Sequence, residues 1–183
     1  MLAALALRSV LTGGPGTGKS TLLDALAACG IATEAEVARK VLKAPGGMAL
    51  RAQDPAAFGK AMMAGEIAAF HHAAKSRVPV VFDRGFADTV GFFRLSHLPI
   101  PRELDEACRV LRYEGLIFRA PPWADIYALD DQRIQTWEEA IASDTAVIAA
   151  WRAYGYEPID LPLVPVAERV AFVLDRIAAA QAR

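Results

Sequence analysis

Asparagine is absent from all 183 residues of the sequence. A chain without asparagine has no acceptor for N-linked glycosylation. It also cannot carry the N-K-x-D motif with which guanine-selective nucleotide switches normally recognise their base. The absence thus excludes an N-glycosylated protein and argues against a switch of the guanine-selective class.

Cysteine is scarce as well, since Cys29 and Cys108 are the only two. Neither has another cysteine or a histidine at the spacing of a metal site, and the pair gives no disulfide framework. We therefore expect both to be small, buried, apolar side chains.

Neither sign of charge dominates, because 20 lysines and arginines stand against 21 aspartates and glutamates, for a net charge of −1. A protein that binds nucleic acid through a basic face is therefore not expected. No apolar run reaches the ~18 residues of a membrane span, and Met1–Leu7 lacks the basic flank and cleavage pattern of a signal peptide. The sequence predicts a cytoplasmic protein without a membrane partner, and it leaves the oligomeric state open.

The length predicts a single domain over residues 1–183. Short apolar runs alternate with longer amphipathic stretches, which is typical of a parallel sheet with helices on both faces. Predicted strands lie near 5–11, 31–33, 78–82, 115–118 and 156–161, and predicted helices near 18–30, 37–42, 54–75, 102–111, 134–155 and 166–177. The pattern predicts a three-layer α/β/α fold with a doubly wound parallel sheet of four or five strands.

The most specific motif reads GGPGTGKS over Gly13–Ser20 and matches the phosphate-loop pattern G-x-x-x-x-G-K-[ST] in full. A strand is predicted before it and a helix after it, so backbone N–H groups and the helix N-terminus can point at a phosphate. Nucleotide contacts are predicted for Gly13, Gly14, Pro15, Gly16, Thr17, Gly18, Lys19, Ser20 and Thr21. Lys19 is expected to reach the β- and γ-phosphates and Ser20 to bind Mg²⁺. The alternative is a glycine-rich turn with an exposed lysine.

Other features separate the protein classes that share this loop. A hexameric AAA+ motor would need more chain and an Asp-Glu pair after a later strand, where this sequence has Asp83-Arg84. The signature motif of a transporter ATPase is not visible. Asp88-Thr-Val-Gly91 matches the D-x-x-G of guanine switches, but it does not directly follow an apolar strand and is interpreted as a coincidence. Among the protein classes that share this loop, the compact ATP-dependent phosphotransferases are the one class that these features favour.

Asp83 and Arg84 follow a predicted strand, and ligands of doubly wound sheets lie beyond the carboxyl ends of the strands. An Asp there can hold the metal or take the proton of an acceptor hydroxyl. The adjacent Arg presents a planar fork to phosphate oxygens. We predict that both are catalytic and that Asp83 and Ser20 serve the metal; the alternative is a surface turn with a local ion pair.

Residues 118–133 lie between a strand and a long helix, where small kinases with this loop carry a lid. A lid excludes water and brings positive charge to the migrating phosphoryl group. Arg133 is the first candidate for that charge and Arg119 the second, the alternative being a solvated arginine at a helix start. Asp130 or Asp131 is expected to cap the helix.

The acceptor is expected to contact the region from about residue 34 to residue 75. Glu34 and Glu36 come just after the second predicted strand, where a carboxylate can bind a hydroxylated acceptor. Arg39 can bind an anionic acceptor. Glu36 and Arg39 are the predicted substrate-binding residues, although each could equally be a solvated helix residue.

Several segments occur together in a recognisable combination: Gly13–Thr21, Glu36 with Arg39, Phe82–Asp88, Pro121–Trp123 with Tyr127, Asp130 and Arg133, Tyr154–Tyr156, and Pro162–Val170. This combination resembles a family of small P-loop ATPases grouped near the kinase domain of bacterial nicotinamide-riboside kinases. The resemblance implies that Asp83-Arg84 takes the Walker B position, that the segment from Trp123 to Arg133 is the lid, and that Leu161–Val166 passes near the adenine. It covers nearly the whole chain and leaves the acceptor open.

The sequence therefore predicts an ATP- and Mg²⁺-dependent kinase that acts on a small metabolite such as a nucleoside or nucleotide. Lys19, Arg84 and Arg133 would stabilise the transferring phosphoryl group. ATP is expected in preference to GTP because the N-K-x-D motif is missing. The main alternative is a nucleotide-dependent ATPase or switch that acts on a protein partner, and a further one is an inactive nucleotide-binding module.

Overall fold

The computed structural model describes residues 6–127 and 136–182, which build a parallel sheet with helices on both faces. The strands are β1 (Arg8–Thr12), β2 (Ala32–Glu34), β3 (Val80–Asp83), β4 (Ile117–Arg119) and β5 (Ile159–Asp160). The helices are α1 (Lys19–Ala28), α2 (Val37–Lys43), α3 (Gly47–Gln53), α4 (Pro55–Ala73), α5 (Phe86–Leu95), α6 (Arg102–Val110), α7 (Trp137–Ala153) and α8 (Val166–Gln181). None of the helices within these residues combines the length and apolarity needed to cross a bilayer.

The five strands follow the order β2-β3-β1-β4-β5, and every neighbouring pair is parallel. Alternation along the central strand sends Val10 into one core and Leu11 into another. The first core holds residues of α4, α5, α6 and α7, and the second holds residues of α1 and α8. The predicted three-layer fold with a doubly wound parallel sheet is confirmed, with five strands.

The register brings three loops to one edge of the sheet. Leu11 of β1 pairs with Asp83 of β3, and Glu34 of β2 pairs with Phe82 of β3. The three strands therefore end at nearly the same level. The segments that follow them, which contain the glycine motif, Glu36 and Arg84, meet beyond this edge, where ligands of such sheets bind.

The structure adds two helices that the sequence pattern does not predict, α3 and α5. Nearly every residue of α5 from Phe86 to Phe93 is buried, so the helix has no polar stripe and shows no amphipathic period. The expectation that both cysteines are buried is half right. Cys108 is buried in the first core, whereas Cys29 is exposed at the end of α1, where the chain leaves the helix.

Candidate active site

The glycine motif forms a tight loop between β1 and α1. Gly13 has a φ of 127°, and a Cβ built on it would lie 2.3 Å from the carbonyl oxygen of Ala120. Gly18 has a φ of 75° and stands immediately before α1. These two positions require glycine because a side chain would be strained at both and would strike backbone at the first. The Thr17 hydroxyl braces the loop by donating to the Gly14 carbonyl at 3.1 Å.

Lys19 folds back into this loop. Its Nζ donates to the carbonyls of Gly13 and Gly14 and lies 3.2 Å from the Thr17 hydroxyl. Burial, helped by the positive charge of Arg84, lowers the pKa of Lys19 to about 7 although nearby carboxylates oppose the change. Phosphate oxygens would offer this ammonium the negative charge that the two carbonyls lack. Ser20 is exposed on the first turn of α1.

Arg84 lies where β3 ends and connects the loop to two carboxylates. Its Nε donates to Glu36 at 3.0 Å, and its Nη1 donates to Asp88 at 3.1 Å and to the Gly13 carbonyl at 2.9 Å. Within the described chain its Nη2 has no partner, so two N–H groups remain for an anion. Arg84 has a φ of 73°, a strained conformation for a residue with a side chain and one that recurs at functional sites. We call Arg84, Glu36 and Asp88 the Arg84 clamp.

Asp88 is the most fully bonded member of the Arg84 clamp. Besides Arg84, it accepts from the Thr12 hydroxyl at 2.7 Å, from the Trp151 indole at 3.1 Å and from the backbone N–H of Gly85 at 3.2 Å. It therefore fixes the start of α5 against the end of β1. Asp88 positions other groups and has little capacity left to bind a ligand.

Glu36 is the member of this clamp that comes from the segment between β2 and α2. Burial alone would raise the pKa of Glu36, but the charges of Arg84 and Lys19 outweigh burial and hold it below its ordinary value. Glu36 is thus a carboxylate at neutral pH. Arg39 lies 3.6 Å from its second oxygen and has a side chain that is 52% exposed, so Arg39 stands at the rim.

Asp83 differs from its neighbours because one of its oxygens is buried without a partner. No group in residues 6–127 or 136–182 makes a hydrogen bond with Asp83 Oδ1. Burial raises the pKa of Asp83, with Arg84 opposing the change. A buried oxygen without a partner requires an explanation, and a hard divalent cation that keeps water and phosphate as further ligands is one. The buried oxygen of Asp83 fits Mg²⁺ in this manner, whereas the described residues include no cluster of three or more His, Cys, Asp or Glu that could hold a metal unaided.

A second arginine lies on the other side of the loop, at the end of β4. Arg119 pairs with Asp144 at 2.6 Å and with Asp160 at 3.1 Å, and Asp144 Oδ1 also accepts the N–H of Gly14 at 3.3 Å. We call these three residues the Arg119 clamp. Its contacts give Arg119 a structural role beneath the loop, so the structure offers no support for Arg119 as the second lid candidate.

Arg169 of α8 supports the loop from a third direction. Both of its terminal nitrogens donate to the Thr17 carbonyl, at 3.2 and 3.3 Å. Its Nε is buried without a partner among the described residues, and burial lowers the pKa of its guanidinium. Arg169 thereby holds the turn of the loop that precedes Gly18.

The structure brings together most of the residues that the sequence singles out. Gly13–Thr21, Glu36, Asp83 and Arg84 converge at one edge of the sheet, and Arg39 borders them. Arg133, Asp130 and Asp131 lie outside the described residues. Glu34 does not join the group, because its carboxylate pairs with His72 at 2.8 Å.

The sequence does not assign three residues of the site. Asp88 lies in a D-x-x-G match that is interpreted as a coincidence, and the sequence leaves open which of Glu34, Glu36 and Asp88 belongs to the site; the structure places Asp88 there, in an ion pair with Arg84. Asp144 and Arg169 reach the loop from distant helices. No local pattern marks these two residues.

Comparison with known proteins gives the family and the fold of the chain. A family model described as an AAA domain matches residues 8–169, and no curated protein matches the chain. The deoxyadenosine kinase from M. mycoides, solved with dCMP and dCDP, is 10% identical with a TM-score of 0.70, over 94% of this chain and 100% of that one.

Two further solved structures share the fold. The NadR protein in complex with NR is 17% identical with a TM-score of 0.67, over 95% of this chain and 50% of that one. Shikimate kinase from Acinetobacter baumannii, in complex with shikimate, is 12% identical with a TM-score of 0.60, over 98% and 97%. Similarity at these identities shows a common fold, and the family model adds membership. The chain belongs to the AAA domain family of P-loop proteins.

Proposed function

We propose that this protein is an ATP- and Mg²⁺-dependent kinase that transfers the γ-phosphoryl group to a hydroxyl of a small metabolite, with a nucleoside or nucleotide as the expected class. The observation that carries the proposal is the Arg84 clamp. A single guanidinium connects the phosphate loop, through the Gly13 carbonyl, to an ionised carboxylate on the acceptor side, Glu36. A carboxylate in that place can receive the proton of an acceptor hydroxyl.

In this proposal, Lys19 and Arg84 have different roles in binding the triphosphate. Lys19 exchanges the Gly13 and Gly14 carbonyls for phosphate oxygens, and the loop N–H groups hold the rest of the triphosphate. Arg84 directs its remaining N–H groups at the transferring phosphoryl group, where planar donors act best.

Glu36 is suited to receive the proton of the acceptor hydroxyl. As the hydroxyl oxygen bonds to the γ-phosphorus, the bond from that phosphorus to the β–γ bridging oxygen breaks, which releases ADP. The proton of the hydroxyl passes to the Glu36 carboxylate, so charge and atoms balance. Because Arg84 keeps the pKa of Glu36 low, this carboxylate is available as a base throughout the neutral range.

Ser20 and Asp83 are the groups that would hold Mg²⁺. When bound, the ion neutralises charge on the β- and γ-phosphates. Arg39 lies at the rim beside Glu36, where it can contact an anionic part of the acceptor. Arg133 stays a prediction as the lid arginine.

The decisive experiment follows transfer of radiolabel from [γ-³²P]ATP to three defined acceptors: deoxyadenosine, nicotinamide riboside and shikimate. A kinase gives a labelled ester with one of them and at least a tenfold rise in ADP release. Glu36→Gln should abolish the ester while ATP still binds, and Asp160→Asn, a change at the exposed end of the Arg119 clamp, serves as the matched control. Slow hydrolysis that no small acceptor stimulates would favour the alternative, an ATPase or switch with a protein partner.

A further inference from the structure

Glu66 is a buried carboxyl group that the proposed chemistry does not use. It lies in the middle of α4 and is only 7% exposed. Its Oε1 accepts a hydrogen bond at 2.8 Å from the hydroxyl of Thr89, which belongs to α5 and is also buried. Its Oε2 is buried and has no partner among the described residues. Buried polar atoms without partners are rare and costly, so this oxygen requires a reason.

The packing of α4 places Glu66 on the acceptor side of the site. A Cβ on Gly65 would lie 2.5 Å from Cγ1 of Val37, the residue directly after Glu36, so α4 approaches the start of α2 closely at this point. The next residue, Glu66, contacts Thr89 in α5, which begins two residues after Arg84. Glu66 therefore lies where α4 meets α2 and α5, the two helices that begin just after Glu36 and Arg84.

We propose that Glu66, oriented by Thr89, binds the part of the acceptor remote from the reacting hydroxyl, by donating a hydrogen bond from Oε2 to a neutral acceptor atom such as an amide carbonyl or a ring nitrogen. It is a specificity-determining residue in this assignment, which rests on the proposed kinase function. The favoured acceptor is a nucleoside-like molecule with an uncharged, hydrogen-bonding ring.

The surroundings of Glu66 agree with a neutral donor. Burial raises the pKa of Glu66 to about 8; the Thr89 hydrogen bond opposes this rise and the negative charge of Asp88 adds to it. The other titratable or charged groups that influence Glu66 or are influenced by it are Arg84, Glu36, Cys108 on α6 and Tyr113 after α6. At neutral pH the group is therefore a carboxylic acid. Because Oε1 accepts from Thr89, the acidic proton resides on Oε2.

Four variants test this assignment with the best-phosphorylated of deoxyadenosine, nicotinamide riboside and shikimate. Glu66→Met removes the donor and should raise the KM for that acceptor at least tenfold, with smaller changes in kcat and in the KM for ATP. Glu66→Gln keeps an N–H donor and should stay within about threefold of wild type. Thr89→Val removes the hydroxyl that orients Glu66 and should raise the KM for the acceptor as well. Thr89→Ser keeps the hydroxyl and should leave this KM close to the wild-type value. Glu114→Gln, at an exposed ion pair with Arg8, is the control.

The pH profile distinguishes hydrogen-bond donation from a packing role. The KM for the acceptor in wild type should rise as pH increases through about 8, because the donor proton is lost. Glu66→Gln should show no such rise, since its amide does not titrate. Equal acceptor KM values for wild type, Glu66→Gln and Glu66→Met, or the same pH profile for all three, would overturn the assignment.

If none of the three acceptors is phosphorylated, that result counts against the proposed kinase function. A second measurement then tests the role of Glu66 without any acceptor. Glu66→Met/Thr89→Val replaces both hydrogen-bonding partners with apolar groups of similar size. If Oε2 is kept for a ligand, the ligand-free double variant should unfold at the same temperature as wild type or higher. A clearly lower unfolding temperature would assign the pair to stability and refute the acceptor role.

Discussion

The phosphate loop lies between two arginine clamps that are similar in plan and different in chemistry. The Arg84 clamp donates to the carbonyl of Gly13, and the Arg119 clamp accepts the N–H of Gly14 through Asp144. Arg84 directly follows β3 and Arg119 is the last residue of β4, which are the two strands adjacent to β1. Each arginine bonds to two carboxylates. Both clamps therefore fix the backbone of the loop from opposite sides.

The two clamps differ in the exposure of their outer carboxylates, Glu36 and Asp160. Glu36 in the Arg84 clamp is 20% exposed, whereas Asp160 in the Arg119 clamp is 60% exposed. The first clamp also has Asp83, with its buried unpartnered oxygen, directly beside its arginine. An exposed ion pair contributes little, while a buried one is sensitive to the loss of either partner. Support of the loop is common to both clamps, and the chemistry is expected of one.

The largest effect is expected at Lys19, which bonds to the two carbonyls that lie between the clamps. Lys19→Ala should lower phosphoryl transfer by ~10³-fold, because about 4 kcal/mol of charge stabilisation in the transition state is lost. The free energy of unfolding should change by only about 1 kcal/mol, since burial of the amine offsets its hydrogen bonds. Steady-state kinetics measure the loss of phosphoryl transfer, and urea unfolding measures the change in the free energy of unfolding. Lys60→Ala, on the exposed face of α4, is the control.

A direct comparison of the clamps comes from the same substitution in each. Arg84→Lys keeps the charge but loses the planar fork that reaches Glu36, Asp88 and Gly13 together, so transfer should fall by ~10²-fold. Arg119→Lys should change transfer less than about fivefold, because it affects only the support of the loop. Initial rates at saturating ATP measure both. Equal losses in the two variants would mean that the clamps are functionally equivalent and that Arg84 has no contact with phosphate.

The proposed role in Mg²⁺ binding distinguishes Asp83 from Asp160, the exposed acid of the Arg119 clamp. Asp83→Asn keeps the size and removes the charge, so transfer should fall by ~10²-fold and the Mg²⁺ concentration for half-maximal rate should rise. Asp160→Asn should leave the Mg²⁺ titration as in wild type. A wild-type Mg²⁺ requirement in Asp83→Asn would reduce Asp83 to a strand-end residue and leave its buried oxygen without a function.

The difference between the clamps also explains what the sequence could predict. The loop can be predicted from the sequence because its conformation requires glycine at fixed positions. The Asp83-Arg84 pair can be predicted because it stands at the end of an apolar strand. Residues that reach the site from distant helices cannot be predicted in this way: Asp144 acts from α7, and Glu66 acts from α4 through Thr89. Such pairings depend on which helix packs on which, and a single sequence does not record that packing.

Helix prediction failed at the site for a related reason. α5 carries Asp88 and Thr89, yet it is buried between α4 and α7 and lacks the polar stripe by which helices are recognised. α3 has only seven residues and begins at a Gly-Gly pair that reads as a turn. For α5, tertiary packing rather than local propensity maintains the helix.

The smallest effect is one on the free energy of unfolding, at the outer carboxylates Glu36 and Asp160, and it depends on pH. Because the folded-state pKa of Glu36 lies below its unfolded value, its stabilising contribution is complete above about pH 4.5 and is lost as pH falls through the lower, folded value. Glu36→Gln should therefore unfold with about 1 kcal/mol less free energy than wild type at pH 7. The two proteins should converge as pH falls through that lower value. Urea unfolding from pH 3 to pH 7 measures this gap, and Asp160→Asn, at the exposed end of the Arg119 clamp, should differ from wild type by less at neutral pH. A gap for Glu36→Gln that is constant across this range would show that the carboxylate is not held ionised by Arg84, and the two clamps would then differ in exposure alone.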